Sequence, residues 1–468
     1  MSTETVPEEG DGGPRAPAEV PAAQASEASP ERTPAGEAQA RAEDEAADIA
    51  RPVNTGERMT VIDTLRGFAL GGVFLSNLYV WQSGRIFLSM ERMKELMAVP
   101  LNIVIGTVLG FTLFGRAMTV FTFLFGLGFA IQMERAAARG DTTGRVYARR
   151  LGLMFLIGVT HLLLLWYGDI LHLYAMVGLL LLLLRRLPDR AVLVLGLVLV
   201  IGGELGGRYL PTFVPRLWHS KEELEAIAAL ERAHNMAWRA EAFAGFTSGA
   251  YLDVVRANVM TWWETFFSLR HLGGNLAVLG KFLIGAYFGR RRLFREVPAH
   301  RTLFRRMVGY GLLVGLIGGA VNALTRLPSM QTRLGPDSLL MQIVSPVTSE
   351  MATLGMASFY IGGVTLLYQH APWRKVLSVV APAGQMALTN YLSQSAFSLV
   401  IFTGVGFGLL GQLNPLGCVV LVAVLFTLQV AFSHVWLAFF RFGPAEWVWR
   451  SLTYGKAQPM RKPRGAAT

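Results

Sequence analysis

The chain has 468 residues, 52% of them hydrophobic and 16% charged, with a formal net charge of +11 and one cysteine. That balance is too apolar, and too often broken by basic clusters, for one soluble core, and it marks a polytopic membrane protein. The lone Cys418 excludes an intrachain disulfide and a thiolate metal cluster, and the positive charge falls in blocks between apolar segments, which excludes nucleic acid as a partner and points to the lipid bilayer.

Residues 1–50 hold twelve acids against three arginines and no aromatic residue. Such a stretch cannot bury enough surface to offset chain entropy, so residues 1–55 read as a disordered, acidic, Ala/Pro-rich tail. It has neither the basic start nor the apolar core of a signal peptide, so the first span is expected to serve as the entry signal.

From 56 to 460 the chain reads as all-α, a polytopic transmembrane helical bundle. Apolar stretches near twenty residues predict ten spans, at about 64–82, 116–133, 150–167, 170–185, 191–207, 271–289, 307–325, 345–368, 384–404 and 415–438. The range is nine to eleven, because the fourth is short and 99–114 is apolar enough for a further re-entrant or interfacial helix. Arginine and lysine cluster after the second, fourth, sixth, eighth and tenth, while the turns at Gly168 and Gly406 carry none. Basic loops resist translocation, so both termini are expected to be cytoplasmic, with 461–468 as a basic tail.

One large outer segment, about 208–270, contains the charged "KEELEAIAALERAHNMAWRAEAFA" and the aromatic "YLDVVRANVMTWWETFF". The first predicts a solvated helix. The second predicts an amphipathic helix at the outer interface, with a lid over an outward-facing cavity as the alternative.

Ionisable and amide groups inside spans are the residues that point to a site. Asp63 and Arg66, three apart, share a helix face, and Asn77 lies on the same stripe about three turns on. Snorkelling of Arg66 with a helix-start role for Asp63 stands equally beside an internal site. His161 falls eleven residues into its span, near the bilayer middle, while Asp169 follows Gly168 at the outer turn and can cap the next helix, with His172 one turn on. A break at the turn is needed for His161 to meet Asp169, since eight residues of continuous helix separate them by about 12 Å. A histidine so placed is a general base, a proton relay or an acyl carrier, or else a neutral imidazole bonded to a neighbouring carbonyl.

Arg116, Glu204, Lys281 and Glu350 are also embedded, and Lys281 and Glu350 either neutralise each other or touch substrate. Asn390 and Gln394 in "GQMALTNYLSQS" share a face, as amides that glue helices together do. No His or carboxylate pair has zinc-site spacing, and no GxxxxGK[ST], GxSxG or HExxH occurs. The glycines of "GLGFAIQ", "GVGFGLLG" and "GLLVGLIGGA" read as helix contact points.

Five motifs in order, "IDTLRGFALGGVFLSN", "FTFLFGLGFAIQ", "GDILHLYAMVGLLLLLLRR", "GQMALTNYLSQS" and "FRFGPAEWVWRSLTYGKAQPMR", resemble the signatures of the YeiB-like bacterial inner-membrane proteins, family 418 of the domains of unknown function. The resemblance covers nearly the whole chain after the tail and implies a multi-pass inner-membrane protein. A more distant likeness is to membrane acyltransferases, which share an "LRG" first span. One branch has a catalytic histidine eleven positions after the arginine, where this chain has Asn77; the heparan-α-glucosaminide N-acetyltransferase branch has asparagine there and a histidine in the following outer loop, where this chain has none.

Three functional readings follow, the plainest being a structural or partner-binding membrane protein. In the first, an acyltransferase moves an acyl group from a cytoplasmic thioester donor, acyl-CoA or similar, to a small-molecule, lipid or sugar acceptor at the outer face. Inner-face arginines such as Arg66 hold the donor's phosphates, His161 is the base, and Asp169 orients it or His172 relays. In the second, a small-molecule carrier or exporter uses Glu204, Lys281, Glu350 and the Asn390 face as a midplane site, with Asp169 as proton site. The residues imply no resident cofactor or metal.

Overall fold

The computed structural model describes residues 60–138, 144–267, 269–335 and 338–462. The acidic tail at 1–55 and residues 463–468 of the basic tail lie outside them. The described chain is helical throughout, with a single isolated β-bridge between Phe440 and Arg461. In order the helices are α1 Thr60–Asn77, α2 Met90–Leu96, α3 Pro100–Thr112, α4 Arg116–Ala138, α5 Arg145–Leu164, α6 Leu171–Leu183, α7 Asp189–Phe213, α8 Lys221–Thr247 and α9 Tyr251–Phe266. They continue as α10 Leu269–Arg290, α11 Arg301–Thr325, α12 Pro328–Leu334, α13 Leu339–Leu367, α14 Ala371–Leu377, α15 Ala381–Gln385, α16 Ala387–Phe402, α17 Pro415–Phe439 and α18 Pro444–Tyr454.

Seven stretches among the described residues are long and apolar enough to cross a membrane: Pro100–Ala137, Arg145–Leu164, Asp189–Pro211, His271–Arg290, Arg301–Thr325, Leu340–Leu367 and Pro415–Phe439. Three of the ten expected spans fall short of that standard, although each is helical. The α6 and α16 helices have 13 and 16 residues, about 20 and 24 Å of rise against a hydrocarbon core of about 30 Å. The α1 helix carries Asp63 and Arg66 within its 18 residues and runs on as a π-helical turn, Leu78–Gln82. Of the three, α1 is the most enclosed. In α1, Leu65, Leu70 and Phe74 are fully buried, whereas in α7 and α17 Val194 and Leu428 are 61% and 60% exposed. The apolar stretch 99–114 forms α3, which shows Leu101, Ile103, Val104 and Val108 to the outside and turns into α4 through Gly115 at φ +80°.

Close helix packing rests on small residues. The α10 helix lies between α7 and α4, where a Cβ added at Gly203 would come 2.5 Å from the Gly273 carbonyl and one at Gly126 2.0 Å from that of Phe282. Gly311, Gly315 and Gly318 of "GLLVGLIGGA" bring α11 against α13 in the same way, which is the helix-contact role expected of them, whereas the glycines of "GVGFGLLG" lie in the turn between α16 and α17, where Gly408 and Gly411 take φ +65° and +71°.

The α5–α6 hairpin positions the site. Its turn is covered by α8 and α9, the two helices of the outer segment. A capping box between Ser220 and Glu223 starts α8, and α9 buries Val254, Ala257, Asn258 and Thr261 while Trp263 stays 60% exposed. The Tyr251 hydroxyl donates to the Leu164 carbonyl at 2.7 Å; Asn258 donates to that of Leu163 at 3.2 Å and accepts from the Tyr167 amide at 3.1 Å. One face of α9 thus seals the hairpin's open backbone groups. The aromatic helix is a cover as well as an amphipathic surface.

Candidate functional site

His161, Asp169 and His172 meet at the mouth of the α5–α6 hairpin. The α5 helix ends at Leu164, the chain turns through Trp166, Tyr167 and Gly168, and the Asp169 carboxylate accepts the His172 backbone N–H at 2.8 Å as α6 begins. His161 Nδ1 stands 2.8 Å from Asp169 Oδ1 and His172 Nδ1 stands 2.8 Å from Oδ2, and all three side chains are at most 5% exposed. The approach depends on Gly158, where an added Cβ would lie 2.3 Å from the His172 amide nitrogen and 2.8 Å from Asp169 Oδ2. His161 sits one turn from the end of α5, not near its centre, because the helix starts at Arg145 and closes at Leu164, earlier at both ends than the apolar run.

The hydrogen-bond pattern assigns the tautomers. The Trp262 indole, which can only donate, gives its Nε1–H to His172 Nε2 at 3.3 Å, so His172 carries its proton on Nδ1, toward Asp169. His161 Nε2 is buried and has no hydrogen-bond partner among the described residues. Its ring packs against Tyr391, with centroids 5.0 Å apart, and edge-on to Trp166 at 6.5 Å. One imidazole is therefore closed by an indole, and the other keeps Nδ1 in contact with a carboxylate at 2.8 Å and leaves Nε2 buried and unpaired. That is the arrangement of an oriented general base.

A cavity of about 360 Å³ approaches this cluster from the opposite, arginine-rich end. Arg66, Arg135, Arg150 and Arg450 line it there, with the Arg150 guanidinium 3.9 Å from the centre of a Trp449 ring. Its wall continues over Phe121, Leu124, Phe125 and Tyr174 to Ile170, Leu171 and Tyr391. Ile170 N–H donates to the Tyr391 hydroxyl at 3.3 Å. The inner end of the cavity is thus one residue layer from His161 and Asp169.

The other predicted residues separate into distinct places. Asp63 lines the cavity and pairs with Arg66 at 2.9 Å, while Asn77, at the far end of α1, is buried outside it. Arg116 donates to the carbonyls of Gly110 and Phe114, tying α4 to the end of α3. Lys281 and Glu350 form a buried ion pair at 3.2 Å between α10 and α13. Asn390 donates to the Ala383 carbonyl and to Ser433 Oγ, and Gln394 donates to Gln429, which in turn donates to the Asn390 carbonyl and Ser393 Oγ. These last amides stitch α16 to α17. The set named for a carrier does not converge on one cavity. Among the described residues no three His, Cys, Asp or Glu side chains are grouped to hold a metal ion.

Sequence reasoning missed Trp262, Tyr391, Arg150 and Trp449. Trp262 was legible only as one of an aromatic run, and Arg150 only as one of a basic cluster; neither carries a local sign of its partner.

Residues 288–456 match the family described as "Protein of unknown function (DUF418)". Over 423 residues the chain is 29% identical to the uncharacterized protein YxaH of Bacillus subtilis (strain 168), covering 88% of this chain and 98% of the relative. It is 25% identical over 414 residues to an uncharacterized 39.9 kDa protein in the amylase 3' region of Bacillus acidopullulyticus, covering 87% and 97%. With the uncharacterized protein YeiB of Escherichia coli (strain K12) it shares 27% identity over 354 residues, covering 74% and 83%. No solved structure matches.

Proposed function

We propose that this chain is a YeiB-like protein of the DUF418 family that works within the membrane as an acyltransferase, taking an acyl group from a thioester donor; the family match over residues 288–456, the likeness to YxaH and YeiB, and the seven described stretches long and apolar enough to cross a membrane support the reading. The observation that carries this reading is the alignment of the arginine-lined cavity with the His161–Asp169–His172 cluster behind its inner end. An acyl-CoA-type donor has phosphates at one end and an apolar acyl chain at the other. The cavity has guanidinium groups at one end and an aromatic wall leading inward, which matches that polarity.

In the reaction, His161 Nε2 takes the proton of an acceptor O–H or N–H as the acceptor atom attacks the thioester carbonyl. The C–S bond breaks, and the departing thiolate takes the proton back from the imidazolium. Asp169 steadies the positive imidazole. The basic end faces the cytoplasm of a bacterial inner membrane, with both termini on that side, so the acceptor arrives from beneath α8 and α9.

The test is thiol release from acetyl-CoA by the detergent-purified full chain. His161→Ala is expected to lower the rate by about a hundredfold or more. Arg150→Ala is expected to raise the donor KM by about tenfold, the loss of one charged contact. Thiol release by the His161→Ala protein at the wild-type rate would overturn the assignment.

A further inference from the structure

On the other side of the hairpin turn lies a second, much smaller cavity of about 30 Å³. Trp166 from the turn, Gln82 from the π-helical turn after α1, Asn258 from α9, and Ser395 and Ser398 from α16 supply its polar lining, and no charged side chain reaches it. Asn258 is engaged by the backbone at Leu163 and Tyr167, and Ser398 donates to Gln82 Oε1 at 2.7 Å. Trp166 Nε1 and Ser395 Oγ are both buried without an aligned hydrogen bond among the described residues, Trp166 Nε1 facing only the adjacent Tyr167 side chain.

Leaving buried polar atoms unpaired is unfavourable, and an indole N–H beside a hydroxyl in a cavity calls for a ligand that both accepts and donates. The volume fits one oxygen-sized group. Without a charged wall the site does not suit a carboxylate, phosphate or ammonium. A neutral hydroxyl meets each requirement. The position is also chemically pointed: the Trp166 ring is edge-on to His161, and Ser395 is one turn along α16 from Tyr391, which packs on the same imidazole. His161 Nε2, on that imidazole, is likewise buried without a hydrogen-bond partner among the described residues.

We propose that this cavity is the acceptor subsite and takes the hydroxyl of a neutral alcohol, with Trp166 Nε1–H donating to its oxygen and Ser395 Oγ pairing with its O–H. The assignment of the hydroxyl as acyl acceptor rests on the acyl-transfer reading. In that reaction the alcohol O–H swings from Ser395 Oγ to His161 Nε2, which lies beyond the cavity's own lining, and gives it the proton as the oxygen forms an ester C–O bond with the thioester carbonyl; the C–S bond breaks and the thiolate leaves with the returned proton.

Methanol is the probe, since it is the smallest alcohol that still carries carbon. The full-length protein, with its tryptophan indoles ¹⁵N-labelled, is titrated in detergent, and the Trp166 Nε1–H resonance is identified by its loss in Trp166→Phe. The chain has ten tryptophans, so the other nine indoles control for bulk solvent effects. The expected result is a saturable shift of the Trp166 resonance. Ser395→Ala weakens the apparent methanol affinity by about tenfold, the size of one lost hydrogen bond, and Ser395→Val, which fills the space, abolishes the response. A Trp166 resonance that does not respond, or responds equally in Ser395→Val, means a structural water only and overturns the proposal. Thiol release from acetyl-CoA is measured on the same samples. A wild-type protein that shows the shift but releases no thiol keeps the alcohol site and loses the acyl-transfer reading.

Discussion

His161 and Asp169 are eight residues apart in sequence, yet Nδ1 and Oδ1 lie 2.8 Å apart because the chain turns between them and folds α6 back along α5. The same carboxylate holds His172, whose tautomer is fixed by Trp262. This predicts unlike outcomes for two substitutions of Asp169. Asp169→Asn keeps the shape, but its amide must offer the oxygen to His172, whose Nδ1–H is locked, and the NH₂ to His161. That drives the His161 proton to Nε2 and removes the base, so thiol release falls by about 10²- to 10⁴-fold with a nearly unchanged Tm. Asp169→Ala leaves two imidazoles facing an empty carboxylate position and destabilises by about 3–5 kcal/mol. Thermal unfolding in detergent beside the rate assay separates them; an active Asp169→Asn protein would sink the oriented-base account.

How much of this was readable beforehand differs by element. His161, Asp169 and His172 fall within twelve residues around one glycine, so a single break at Gly168 was enough to predict their meeting. Trp262 and Tyr391 reach the same cluster from 90 and 221 positions away, and nothing local marks them. Helix existence was legible from apolar runs, but span length was not. The runs at 64–82 and 384–404 continue past the helices through turns such as Leu78–Gln82, because hydropathy responds to burial in protein as it does to burial in lipid. The mutual neutralisation of Lys281 and Glu350 was one of two readings, and only the 3.2 Å approach of the two side chains in the folded bundle selects it. The cavity has no sequence signature, since its wall is drawn from α1, α4, α5, α6, α15, α16 and α18 together.

Gly158 and Gly152 lie two turns apart or less on α5 but differ in surroundings. An added Cβ at Gly158 meets the His172 amide at 2.3 Å, whereas at Gly152 nothing lies within 4 Å. Gly158→Ala must push the start of α6 away from α5, at about 1–3 kcal/mol, and loosens Asp169 with it. Gly152→Ala gains helix propensity, up to about 1 kcal/mol, at no steric penalty. The expected melting curves therefore move in opposite directions, and only Gly158→Ala loses thiol release. Equal shifts in both proteins would contradict the packing of this hairpin.

Lys281 and Glu350 are 12% and 11% exposed at the side chain, so the partner of a deleted charge is left largely desolvated. Lys281→Met or Glu350→Leu alone is expected to lower stability by about 3–5 kcal/mol, while the double substitution recovers most of that loss. Because the pair is not part of the arginine-lined cavity, acetyl-CoA affinity stays at the wild-type value in the double variant. Additive losses in the cycle would mean that the two charges answer to other partners.

Glu446 lies in α18, past the last apolar span, and its carboxylate sits on the first turn of α16. It accepts the amides of Leu388 at 2.7 Å and Thr389 at 3.2 Å, and the Thr389 hydroxyl at 2.5 Å. Burial nevertheless outweighs these bonds and holds the acid above the ordinary glutamate range. An acid raised on folding binds its proton more tightly in the folded chain, so its contribution to stability is full below the unfolded value, about 4.3, and is lost as pH rises through the folded value. Glu446→Gln keeps an acceptor for the Leu388 amide and has no proton to lose. The Tm of the variant minus that of the wild type should therefore increase as pH rises above the glutamate range, and level off once the wild-type acid is ionised. A difference that stays constant with pH, or shrinks as pH rises, would show that the three hydrogen bonds, and not burial, set the charge of this helix-capping acid.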